Sequence, residues 1–296
     1  MTLILSVICP HFSIIACDKK VTNAATQSTL NRYANKMLLV LRKNGLFSIC
    51  YTGIAQVDGI SMDRILASYI SGIDLSKFLG VWWTKADFDD IGLCLMRVKS
   101  KLEALWKRLD KRARLYPFQL VVTGYQFQNK PLLVWPAHYV VSKPPGSSAN
   151  FYLTCHINKR FMLDSLANKN NEFDIRVYGS VVDQVGMKRN MEQLAFCKDS
   201  NQFETRILEL FVASSVIDPT VGDLLNTVRF GPLLADDLAT VKCFHSRDIA
   251  QDSCSFPFFV SDRLLIQAMQ DFDFNGFEIG CGWFKVGCKT EEINII

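Results

Sequence analysis

After Met1 the chain opens with Thr2-Leu3-Ile4-Leu5-Ser6-Val7-Ile8-Cys9-Pro10-His11-Phe12-Ser13-Ile14-Ile15-Ala16-Cys17-Asp18. Two short apolar runs, Leu3–Cys9 and Phe12–Asp18, are rich in Ile and Val and are separated by a turn signal at Pro10-His11, which predicts a hairpin of buried strands. A secretory signal needs a positively charged start and an unbroken apolar middle. Here no Lys or Arg precedes residue 19, and Pro10 cuts the run in two. The run is also far short of the roughly 20 residues that span a bilayer. Ile14-Ile15-Ala16-Cys17 is similar to a bacterial lipoprotein cleavage box, but the hairpin accounts for the whole stretch and the box for only part of it.

Working outward, Val21–Tyr33 is polar and reads as a loop. Met37–Leu41 and Leu46–Thr52 are predicted to form a second hairpin around Arg42-Lys43-Asn44-Gly45, whose Asn-Gly is a strong turn signal. Helices follow. Ile65, Leu66, Tyr69 and Ile70 recur at helical spacing and Gly72 stops the segment. A longer helix is expected from about Ala86 to Ala113, with Ile91, Leu95, Val98, Leu102, Leu105 and Leu109 as its apolar stripe and Asp87, Asp89 and Asp90 in its first turn. Strands are expected again at Phe118–Thr123, Leu132–Trp135 (across a Gln126–Pro131 turn) and Phe151–Ile157. Helical patterns return around Met187–Phe196 and Phe203–Val216, then strands at Leu225–Phe230 and Ala239–His245. Helices paired between blocks of strands argue against alternating βαβ units. The order fits an α+β, four-layer αββα sandwich of two antiparallel sheets flanked by helices. The apolar, Gly-punctuated tail from Cys254 has no clear assignment.

Composition sets outer bounds. Nearly half of the 296 residues are apolar, 21% are charged, and the formal charge is only +4. The strongest basic cluster, Lys107 to Arg114, closes the long predicted helix and complements its negative end. It lacks the interleaved aromatics of a nucleic-acid groove, so no nucleic-acid partner is expected. No membrane partner is expected either. The ten cysteines form no CxxC pair, which fits a reducing, cytoplasmic setting. Cys243, His245, Cys254, Cys281 and Cys288 can be drawn as a metal set, but such a set arises easily by chance. The four histidines have no partner at motif spacing, which disfavours a histidine-based triad.

Several fragments in order resemble a proteasome β-type subunit, an N-terminal nucleophile (Ntn) hydrolase. They are Thr2 to Val7, Ile14-Ile15-Ala16-Cys17-Asp18-Lys19-Lys20-Val21-Thr22, Arg32-Tyr33-Ala34-Asn35-Lys36-Met37, and Tyr51-Thr52-Gly53-Ile54-Ala55. In that family a threonine opens the first strand and an aspartate closes the second sixteen residues later, a separation that Thr2 and Asp18 keep. A lysine begins the third strand, here Lys36, and a glycine follows the fourth, here Gly53. Fainter similarity appears at Val122-Thr123-Gly124-Tyr125, at Tyr178-Gly179-Ser180, and at Asp218-Pro219-Thr220-Val221-Gly222. Three departures stand out. Lys36 lies two residues further from Thr2 than the family spacing, so the intervening loop must bulge. Val221 replaces a serine, and Asp223 stands where a second glycine is usual.

The resemblance implies a proteasome-like domain over residues 1–245 with an insertion around 136–175, and a C-terminal extension, 246–296, packing on it. It implies a threonine-type amidohydrolase or peptidase acting on a peptide or other amide, without metal or organic cofactor, and capable of forming a homo-oligomeric ring. Thr2 would be the nucleophile and its own α-amine the base, since a reference pKa of roughly 7.7–8.0 lies near working pH. A neighbouring ammonium, Lys36, would lower that pKa, and Asp18 would hold Lys36 charged and oriented. The Gly53 amide would face the oxyanion. Ser180 and Asp218 would position the amine or a water. All this requires removal of Met1, which the small Thr2 side chain permits, with no propeptide needed. The competing expectation is a non-catalytic proteasome-like subunit with an assembly or binding role, favoured by Val221 and the shifted Lys36.

Overall fold

The computed structural model describes residues 2–8, 12–23, 26–74, 81–83, 89–115, 118–126, 132–134, 138–140, 148–155, 162–167, 174–179, 184–195, 200–230, 237–246, 257–261, 264–266, 277–281 and 284–293. The N-terminal half comprises β1 (Leu3–Ile8), β2 (Ser13–Asp18), β3 (Val21–Thr22), β4 (Thr29–Asn31), β5 (Met37–Arg42), β6 (Gly45–Thr52), β7 (Gln56–Val57), β8 (Ile60–Ser61), α1 (Met62–Ser71), β9 (Val81–Trp83) and α2 (Ile91–Arg108). Then come β10 (Phe118–Gln126), β11 (Leu132–Val134), β12 (His138–Val140), β13 (Ser148–Cys155), β14 (Met162–Ala167), β15 (Asp174–Gly179), α3 (Gln184–Ala195) and α4 (Ser200–Ile217). The chain finishes with β16 (Leu225–Phe230), β17 (Asp237–Ser246), β18 (Phe258–Val260), β19 (Leu264–Ile266), β20 (Phe277–Cys281) and β21 (Phe284–Ile293).

Two large sheets hold most of these strands. One has the order β15-β1-β2-β16-β17-β21-β20, the other β14-β13-β10-β6-β5-β18-β19-β9. The opening hairpin forms as its apolar runs predict, with Ile4 opposite Cys17 and Ile8 opposite Ser13. Every residue of β1 and β2 is buried, because the sheet is covered on both faces. Leu3, Leu5, Val7, Ile14 and Ala16 pack against Met187 and Met191 of α3 and Phe203, Ile207 and Phe211 of α4. In the other sheet, Leu38, Val40, Phe47, Ile49, Tyr51, Phe118, Leu120 and Val122 pack against α1 and α2. Burying each such large apolar side chain is worth about 1.5–3 kcal/mol, so the helices are fixed chiefly by these faces. From the opposite faces, Ser6 Oγ of β1 meets Thr123 Oγ1 of β10 at 2.5 Å, joining one sheet to the other.

Several expectations need correction. The sheets are mixed rather than antiparallel: β17 runs parallel to β21, and β5 parallel to β18. Both exceptions come from the C-terminal tail, whose strands return by crossovers that short apolar runs do not announce. The long helix starts at Ile91, not near Ala86. Asp90 caps it, accepting from the Leu93 amide at 2.9 Å, and Asp89 lies before it in an ion pair with Arg97. Asp87 lies outside the described residues. Val21–Tyr33 contains the small β3/β4 hairpin, not loop alone. The strand at Leu132 pairs with β12, while β10 pairs with β13 and β6; the expected turn after Gln126 lies outside the described residues. Among the described residues, no helix is long and apolar enough to cross a membrane.

Candidate active site

Strand pairing brings three separated polar residues to one end of the sheets. Thr2 precedes β1, Asp18 ends β2, and Lys36 precedes β5. Lys36 is anchored by its carbonyl oxygen, which accepts from the Tyr51 amide at 3.2 Å and from Cys17 Sγ at 3.9 Å. An ammonium has three N–H donors. Lys36 Nζ donates to Thr2 Oγ1 at 2.8 Å, to Asp18 Oδ1 at 3.1 Å, and to the carbonyl oxygen of Lys20. Asp18 Oδ2 accepts from the Gly222 amide at 2.7 Å. Thr2, Asp18 and Lys36 are 4%, 0% and 2% exposed, so these contacts operate out of water.

Burial pushes the Asp18 carboxyl above its usual range, while the Lys36 ammonium and the Gly222 amide pull it down. Losing either partner of such a buried pair leaves an uncompensated charge, at a cost of about 3–5 kcal/mol. The flanking Asn35 is also tied in. Its carbonyl accepts from Tyr51 Oη at 3.1 Å, and its amide nitrogen donates to Met37 O at 3.0 Å and Asp63 Oδ2 at 3.1 Å. Burial raises both the Asp63 carboxyl and the Tyr51 phenol.

The other anticipated residues fall differently. Gly53 follows β6 with φ 105°, a left-handed conformation that suits glycine. Ser180 lies outside the described residues. Its neighbour Gly179 ends β15 opposite Leu3, and a Cβ on it would lie 1.6 Å from the Thr2 carbonyl oxygen. Asp218 has a turn role: Oδ1 accepts from the Thr220 amide at 2.8 Å and the Thr220 hydroxyl at 2.6 Å, closing the end of α4. From this turn it is the Gly222 amide that reaches Asp18.

Departures from the resembled pattern have structural counterparts. The extra length between Thr2 and Lys36 falls in the segment holding β3/β4, whose register shifts between Val21 and Thr22. Asp223 pairs with Arg32 at 3.0 Å, and Lys20 Nζ donates to Pro219 O at 2.6 Å, so two cations hold the late turn against the site. Sequence reasoning missed the parts played by Gly222, Gly179 and the Lys20 carbonyl. Gly222 stood in a recognised turn and Gly179 in a recognised fragment, but main-chain contacts carry no residue-type signature.

No protein-family model matches the chain, and no curated protein does. Solved structures show distant likeness. The Anbu Gly-1 mutant from Hyphomicrobium sp. strain MC1 is 9% identical with TM-score 0.48, over 78% of this chain and 82% of that one. Anbu from the same strain is 9% identical with TM-score 0.43 over the same shares. Eukaryotic HslV from Trypanosoma brucei is 14% identical with TM-score 0.39, over 77% of this chain and 98% of that one.

Proposed function

We propose that this chain is a threonine-type N-terminal nucleophile amidohydrolase, in which Thr2, unblocked by loss of Met1, attacks the carbonyl of a peptide or other amide. The observation that carries the reading is the buried Lys36 ammonium donating to both Thr2 Oγ1 and Asp18 Oδ1. A hydroxyl is a poor nucleophile until something accepts its proton. The Lys36 contact stabilises negative charge developing on Oγ1. The same positive charge holds down the pKa of a nearby α-amine, leaving it neutral and able to take the proton. Attack forms the Oγ–carbon bond and moves the carbonyl electrons onto oxygen, with the Gly53 amide as donor to that oxygen. Collapse expels the amine, which leaves with the proton from the α-amine, and water then hydrolyses the ester. Every step uses groups of this chain and water.

The accompanying fold proposal is the four-layer αββα sandwich, with α1 and α2 outside one sheet and α3 and α4 outside the other. A cytoplasmic homo-oligomeric ring belongs to the same proposal through the family resemblance. One observation favours the second reading, a non-catalytic subunit: Val221 offers no hydroxyl to the terminal amine, and the nearby Asp218 carboxylate is engaged by Thr220. Hydrolysis of fluorogenic peptide amides by wild type and Thr2→Ala, with the amino terminus checked by intact mass, separates the two. Loss of activity in Thr2→Ala, together with a wild-type mass lacking Met1, is expected. Equal rates, or a retained Met1, would leave the non-catalytic reading.

A further inference from the structure

We infer that the Thr52 hydroxyl is a second donor to the oxyanion formed at Thr2, beside the Gly53 amide; the inference rests on Thr2 being the nucleophile. Side chains alternate across a strand. On β6, Phe47, Ile49 and Tyr51 belong to the core under α1 and α2, so Ser48, Cys50 and Thr52 face the other sheet. On β1, Leu3, Leu5 and Val7 belong to the core under α3 and α4, so Ile4 and Ser6 face the other way, and the Ser6–Thr123 contact spans the gap. Thr2 continues the second set at the start of β1, and Thr52 ends the first set on β6. Both therefore look into the gap between the sheets, at the end where Lys36 sits. The Cβ position of Gly179 lies 1.6 Å from the Thr2 carbonyl oxygen and 3.5 Å from Thr52 Oγ1, so one point touches both threonines.

Thr52 is 6% exposed, and its hydroxyl makes no hydrogen bond to any described residue. The polar groups beside it contrast with this: Lys36 Nζ has three acceptors and both Asp18 oxygens have donors. A hydroxyl can donate one hydrogen bond. Gly53, with φ 105°, turns the chain immediately after Thr52, so an amide N–H and a hydroxyl come from adjacent residues at the end of the gap where Thr2 lies. Two donors converging on one developing charge is the arrangement that stabilises a tetrahedral intermediate more than its planar precursor.

Two probes separate this role from a packing role. A peptide boronate forms a tetrahedral adduct on the nucleophile, with an oxygen at the oxyanion position. A peptide vinyl sulfone alkylates the nucleophile without creating that oxygen. Thr52→Val, close to Thr in shape, is expected to weaken boronate inhibition about tenfold, to leave the vinyl sulfone rate within about twofold, and to be rescued by Thr52→Ser. Wild-type boronate affinity in Thr52→Val overturns the inference, as does equal loss with both reagents in the folded variant, which would make Thr52 merely structural. Thr2→Ala is the control. If it reacts like wild type, the nucleophile assignment falls and takes this inference with it; if it is inert while Thr52→Val is unaffected, only the Thr52 role is lost.

Discussion

Strand β5 carries a buried cation near each end, Lys36 just before it and Arg42 at its close, 2% and 1% exposed. At one end the ammonium meets a carboxylate and the hydroxyl of Thr2. At the other, Arg42 donates to the carbonyl of Ile70 at 3.3 Å, in the last turn of α1, where a cation complements the helix dipole. It also lies near Cys94, where burial raises the thiol and Arg42 opposes that rise, and near Asp89, where it adds a small share to the lowering produced by Arg97. Both cations are buried at the ends of one strand, yet one touches the nucleophile of the proposed reaction and the other touches the last turn of a helix. The acceptors, not the burial, distinguish chemistry from architecture.

Substitution at the two ends should separate them. Lys36→Met is expected to lower electrophile labelling at Thr2 by at least about 100-fold and to destabilise the fold by about 3–5 kcal/mol, since Asp18 is left without its counterion. Arg42→Met should cost stability of about 2–4 kcal/mol in denaturant titration while the folded fraction labels at the wild-type rate. Lost labelling in folded Arg42→Met would erase the contrast.

Smaller changes sharpen the picture at the site end. Gly179→Ala puts a methyl 1.6 Å from the Thr2 carbonyl oxygen at φ 90°, and should cost more than about 2 kcal/mol as well as displacing Thr2. Gly222→Ala meets Lys20 Cβ at 2.8 Å and loosens the amide on Asp18; labelling should fall roughly tenfold with about 1 kcal/mol of stability. Wild-type labelling in Gly222→Ala would remove that amide from the account.

The smallest effect belongs to the framework end. The Arg97 guanidinium holds the Asp89 carboxyl below its usual value. A depressed folded-state pKa gives stability above the unfolded value near 3.9, lost as pH falls through the folded one. Asp89→Asn should therefore lose under about 1 kcal/mol at neutral pH, because the pair is only partly buried and solvent screens it, and nothing at strongly acidic pH. A loss that persists in acid would point to packing instead.

Much of the site was legible because its residues sit at strand ends that apolar periodicity marks: Thr2 before Leu3, Asp18 after Cys17, Lys36 before Met37. The hairpin β5/β6 and helix α1 were legible for the same reason, each having a turn or stop residue at its boundary. What escaped was long-range pairing. Strand β15, which lies against β1 and brings Gly179 onto Thr2, has the alternating sequence Asp174-Ile175-Arg176-Val177-Tyr178, which marks a strand but not the strand it pairs with. The parallel strand β18 depends on a partner, β5, more than 200 residues away, which no local pattern encodes. Main-chain donors such as the Gly222 amide are equally silent, since every residue but proline carries one.

The central claim is an unblocked Thr2 whose amine and hydroxyl act together beside Lys36. A peptide α′,β′-epoxyketone tests it most directly, because stable capture needs bonds to both the terminal nitrogen and the side-chain oxygen of one residue. After reaction of the native protein, peptide mass spectrometry should find an amino-terminal peptide that begins at Thr2 and carries the reagent. An unmodified peptide still beginning at Met1 would contradict the account.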